Sequence, residues 1–177
     1  MLGYLNDLWV YRMNDSTWTW VSGSQVPDEP GVYDELMGEL VPRGRSDAVG
    51  WFDSSSQELW VFGGYFEDGY YGPYFLLVIK LTNTPLNALN ICVGNLNDLW
   101  RYDVNNDKWT WMSGSNVSNQ GGVYGEKGNA SSDNVPGARG SAVGWYDSEN
   151  KEFWLFGGYG FDRNQQLGSN HSFLFVI

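Results

Sequence analysis

The run Leu5-Asn6-Asp7-Leu8-Trp9 returns as Leu96-Asn97-Asp98-Leu99-Trp100, a shift of 91 residues. Thr17-Trp18-Thr19-Trp20 is answered by Lys108-Trp109-Thr110-Trp111 at the same shift, and Gly31-Val32-Tyr33 by Gly122-Val123-Tyr124. The shift then becomes 94, relating the segment 45–51 to 139–145 and Glu58–Tyr65 to Glu152–Tyr159. Each copy holds four short β-branched or aromatic runs separated by Gly, Asn, Asp or Ser, the pattern of a four-stranded antiparallel unit. For the middle unit the strands are expected near 45–52, 58–63, 98–103 and 109–113. Such a unit cannot bury both faces alone, so it must stack on its neighbours, and radial stacking of four-stranded sheets gives a propeller.

Composition agrees with an all-β chain. Aromatic residues make up 17% and 23 glycines punctuate the apolar runs, as in many short strands joined by turns. The net charge of −11 repels phosphate backbones and anionic lipid surfaces, which argues against nucleic-acid and membrane partners. With one Cys (Cys92) and one His (His171), the chain by itself supplies neither an internal disulfide nor a Cys/His zinc site. No signal peptide is visible after Met1. The four sequons at Asn14, Asn116, Asn129 and Asn170 are common by chance in an Asn/Ser-rich chain, so localisation is left open.

At its most repeated positions the chain resembles the Kelch-repeat family of β-propellers. The double glycine that follows the second strand of a Kelch unit appears as Gly63-Gly64 and Gly157-Gly158, the third-strand Tyr as Tyr11 and Tyr102, and the fourth-strand Trp as Trp18 and Trp109. A Pro-x-x-Arg lead into the first strand is present at Pro42–Arg45 and Pro136–Arg139, while the His common shortly afterwards is replaced by Asp47 and Ser141. The resemblance implies Kelch-type blades, about two in all and incomplete. In that reading 1–24 is the last half of a blade, 43–114 a full blade and 137–160 the first half of a third. Adjacent glycines permit positive φ and close backbone approach where blades crowd. Trp and Tyr on the next two strands would fill the wedge between blades. Arg45 and Arg139 are expected to hydrogen-bond carbonyls of the neighbouring blade.

The pattern breaks twice at nearly one position. Residues 73–94 interrupt the middle unit, and after Gly168 the second copy diverges into a tail within 161–177. Both read as insertions, such as translated introns in duplicated exons. The competing reading makes 74–81 a buried strand and 82–94 a loop, its apolar run too short to span a membrane. A closed propeller needs roughly four to eight blades, so this chain is expected either to belong to a longer protein or to self-associate through open blade edges.

Kelch-type propellers include galactose-oxidase-like enzymes, whose copper site needs His and Tyr ligands and a Tyr-Cys crosslink. The single His and Cys both fall in segments that break the repeat, so neither that metal site nor a triad on His171 is expected. The Gly-rich stretch 121–128 lacks phosphate-loop spacing. Asp34, Glu35 and Glu39 share an irregular loop that fixes no acid/base separation. No catalytic, cofactor or metal residue is therefore expected. The expectation is a non-catalytic protein-interaction module, with carbohydrate binding through Trp faces, or a non-functional fragment of a longer Kelch protein, as alternatives. The long loops 24–42 and 115–136 are the favoured recognition surfaces, with Tyr33 and Tyr124 as first contacts.

Overall fold

The computed structural model describes residues 3–68 and 92–166. Most of the 73–94 break, the tail beyond Gln166 and His171 lie outside these residues.

Ten strands form four antiparallel sheets, and no helix is present among the described residues. β1 (Leu8–Arg12) pairs with β2 (Thr17–Ser22). β3 (Val49–Asp53), β4 (Glu58–Asp68), β5 (Cys92–Asp103) and β6 (Lys108–Ser113) make a four-stranded sheet in chain order. β8 (Val143–Asp147) pairs with β9 (Glu152–Phe156), while the two-residue strands β7 (Arg139–Gly140) and β10 (Tyr159–Gly160) pair with each other. Two of the three two-stranded sheets, β1–β2 and β8–β9, occupy the sequence positions that the repeat shifts relate to β5–β6 and β3–β4. The chain is all-β, and no sheet closes on itself among the described residues.

Turn chemistry explains why the hairpins recur. Each of the four tight hairpins joins its strands through four residues, the last left-handed: Ser16, Gln57, Asp107 and Lys151 have φ between +51° and +60°. In three of them the carboxylate before the turn accepts the backbone N–H two residues on: Asp53 from Ser55, Asp103 from Asn105 and Asp147 from Glu149. This local closure sets the strand register. Side-chain hydrogen bonds first, from Asn106 to Asp103 and from Asn150 to Asp147, and these backbone bonds besides, hold the Asp53, Asp103 and Asp147 carboxyls below their ordinary range. At Asp53 the Ser55 hydroxyl is the main cause. Every hairpin then places a Trp opposite a Trp or continues a ladder that does: Trp9 and Trp20, Trp51 and Trp60, Trp100 and Trp111, Trp145 and Trp154.

The four-stranded sheet is buried on both faces, in line with period-two alternation. Val49 and Trp51 point to one side, where Phe62, Trp60 and Leu99 join them against Tyr146, Phe153 and Leu155 of the β8–β9 unit. Trp100, Tyr102 and Trp109 point to the other side, packed with Leu40, Tyr33, Val41 and Leu8. Trp109 Nε1 also donates to Ser22 Oγ at the end of β2, 3.1 Å away.

Two strands run further than the sequence suggests. β4 and β5 continue past Gly63-Gly64, pairing Phe66 with Gly94 and Asp68 with Cys92. The glycine pair makes a bulge, not a strand end: both have positive φ (+64° and +103°) and the register shifts there, which bends a strand without terminating it. A Cβ on Gly63 would lie 2.5 Å from the Arg139 carbonyl oxygen, so glycine is needed where this strand meets β7. Residues 92–94, read from sequence as inserted, thus belong to the ladder. The first strand begins at Val49 and not near 45, because Asp47 is left-handed (φ +56°).

Candidate functional site: an aromatic cleft beside Arg139

One buried polar cluster sits at the heart of the middle unit. Arg45 approaches Asp98 with both terminal nitrogens, Nη1 to Oδ1 at 2.7 Å and Nη2 to Oδ2 at 2.8 Å. Tyr33 Oη and Trp100 Nε1 donate to Oδ2 as well, at 2.7 and 2.6 Å. Asp98 and Trp100 are fully buried. Arg45 also donates to the carbonyls of Gly63 and Arg43, so its backbone partners lie in its own unit and not in a neighbouring one. Burial, the largest single influence, would depress the Arg45 guanidinium, but the charge and hydrogen bonds of Asp98 together with those of Tyr33 outweigh it, and the net direction is upward. Burial first, and then Asp98, push the Tyr33 phenol upward and keep it a donor.

The repeat shifts place both halves of this cluster elsewhere in the chain, apart. Arg139 holds the pose of Arg45: Nη1 donates to the Gly157 carbonyl at 3.0 Å and Nε to that of Gly137 at 2.9 Å. Beside it is an open cleft of about 330 Å³, lined by Val123, Tyr124, Asn134, Val135, Arg139 and Leu155. Their counterparts in the middle unit are Val32, Tyr33, Leu40, Val41, Arg45 and Val61; of these Tyr33, Leu40, Val41 and Val61 pack in the cluster of Trp100 and Arg45 pairs with Asp98. At the other end of the chain Asp7 accepts Trp9 Nε1 at 2.6 Å, as Asp98 does from Trp100. Here both rings are open: Trp9 is 49% exposed and Trp20 40%.

The loops that carry these residues are anchored, which sequence reading did not anticipate. Asn6 Oδ1 accepts Ser24 N and Asn6 Nδ2 donates to the Pro42 carbonyl; Asn97 repeats both bonds with Ser115 and Pro136. Val32 bridges Val41, and Val123 bridges Val135. A Cβ on Gly114 (φ +84°) would lie 2.0 Å from the Asn97 carbonyl oxygen, so the turn entering the second loop requires glycine.

The expected contact residues divide. Tyr33 is committed to the interior, its ring 5.0 Å from both Trp100 and Trp111. Tyr124 is 55% exposed at the mouth of the cleft. Tyr102 packs on Trp109 and Tyr11 on Trp18 with equal centroid distances of 5.0 Å, yet Trp109 is buried and Trp18 is 65% exposed. Gly157 and Gly158 keep positive φ, as Gly63 and Gly64 do. Sequence reasoning missed Asp98 and Asp7; the signal was a carboxylate repeated beside Leu and Trp in an otherwise apolar run.

Asp34, in the first loop, is used for a turn, accepting Leu36 N. Glu35 faces solvent beside Lys108. Among the described residues no group of three or more His, Cys, Asp or Glu is arranged to hold a metal ion. What the cleft lining offers is apolar side chains, an exposed phenol and the Arg139 guanidinium. No protein-family model matches the chain, and comparison with curated proteins finds no match.

Proposed function

We propose that the chain is a non-catalytic Kelch-type binding module whose protein partner docks at the cleft between Tyr124, Leu155 and Arg139. The observation that carries this reading is the repeat correspondence between the cleft lining and the residues around Trp100 and Asp98, in which Tyr, Val and Arg recur while Leu155 replaces Val61 and Asn134 replaces Leu40. A surface built to hold Asp-x-Trp internally presents the same chemistry outward at this second place. It suits an extended segment with a carboxylate for Arg139 and, two residues on, an aromatic ring for Tyr124 and Leu155. The edge of β9 that carries no ladder among the described residues adds backbone groups for such a strand, the usual mode of edge augmentation.

Selection from a displayed library of random peptides should enrich sequences of the form acidic-x-aromatic, and Tyr124→Ala should remove that enrichment. A library that yields no consensus overturns the reading. A lectin-like alternative draws support from Trp145 and Trp154, each about half exposed and stacked 5° from parallel at 5.9 Å. Glycan binding sensitive to Trp145→Ala but not to Tyr124→Ala would favour it.

A further inference from the structure

We infer that the strand received by this cleft is β1 of a second copy of the same chain, so that copies associate head to tail. The inference rests on the docking reading above and names its partner.

The two open edges are matching halves of one unit. In the complete sheet, β4 pairs with β5 so that Leu59 faces Tyr102, Val61 faces Trp100 and Phe62 faces Leu99. Carried across the repeat shifts, Phe153 would face Tyr11, Leu155 would face Trp9 and Phe156 would face Leu8 of the second copy. Neither β9 nor β1 has a ladder on that edge among the described residues. Both edges are apolar and exposed where the complete unit is buried. Phe156 is 72% exposed against 5% for Phe62, and Leu5 is 51% exposed against 0% for Leu96.

Charge agrees with shape. Arg139 already holds two of the contacts made by Arg45, and Asp7 already holds the Trp9 contact, so docking would join them as Arg45 and Asp98 are joined. The register also sets Arg12 against Glu152, an opposite pair, where the complete sheet sets Asp103 against Glu58. Opposite charges across a ladder stabilise it and like charges do not. Trp18 would reach Ser113 of the other copy as Trp109 reaches Ser22. The one polar intrusion is Asn134 at the place of Leu40. Such a contact joins two different surfaces, so it propagates until a ring closes. With about two units per chain, closure at roughly four to eight blades takes about two to four copies.

The test is the molar mass of the whole chain by light scattering over a concentration series. The expected result is a multiple of the chain mass that falls back to monomer in Asp7→Asn and in Arg139→Gln. Each variant should weaken association by at least about thirtyfold, the loss expected when one partner of a buried charge pair is removed. Both residues are half-exposed within one copy, and circular dichroism confirms that the variants fold. A monomer at every concentration, or an assembly indifferent to both variants, overturns the inference. A monomer whose cleft still takes acidic-x-aromatic peptides overturns self-association alone; one that takes none overturns the docking reading as well.

Discussion

Asp98→Ala will destabilise the chain by about 3–5 kcal/mol, the cost of stranding a buried charge by removing its partner. The Arg45 side chain is 7% exposed, and a guanidinium does not escape burial by losing its proton. Tyr33 Oη and Trp100 Nε1 lose their acceptor in the same step, each a further desolvation penalty. Asp7→Ala removes the equivalent carboxylate from a half-exposed site with one Trp contact, so in a single copy it will cost under about 1 kcal/mol. Urea unfolding of the two variants, measured where the chain is monomeric, separates these outcomes. Equal midpoints would show that the cluster is not what fixes the middle unit. Replacing Arg45 and Asp98 together by Met and Leu should restore part of the loss, since an apolar pair leaves no stranded charge.

Trp100→Ala is the second large effect, also about 3–5 kcal/mol, because the ring is fully enclosed and its removal leaves a cavity. Tyr33, Tyr102, Trp109 and Leu40 surround it, and they span loop, third strand and fourth strand, so collapse around the gap is limited. Trp9→Ala changes the same repeat position in the open half-unit. Its cost to one copy should stay within about 1 kcal/mol. A guanidinium titration followed by tyrosine and residual Trp fluorescence gives both values. A Trp9 variant as unstable as the Trp100 variant would show that the N-terminal hairpin carries its own core.

The repeat made the longer strands legible in sequence, with four in the middle, the β1–β2 hairpin before and the β8–β9 hairpin after, and turns where Asp, Asn and Ser cluster; the two-residue strands β7 and β10 are too short to leave a pattern. Less visible was what happens at Gly63-Gly64. A double glycine reads as a strand end, but a bulge uses the same positive φ and lets the ladder run on to Asp68 and Cys92. Loop residues carry no periodicity, so nothing local distinguishes Tyr33, turned inward to Asp98, from Tyr124, turned outward at the same repeat position. The difference is set by residues 65 positions away from Tyr33, beyond any local pattern. Arg45 was legible as structural, but its carboxylate partner was not, because an Asp in a strand reads as surface until its neighbours are known. The cleft itself follows from comparing two copies of the unit, one complete and one open.

Titration calorimetry of the Asp7→Asn chain with a peptide of residues 3–12 tests the central claim most directly, since this host keeps the cleft intact while its own strand is disabled. The account predicts saturable one-to-one binding that disappears when the peptide carries Trp9→Ala or when the host also carries Arg139→Gln. Heat that is absent, or that is unchanged by either substitution, would contradict it.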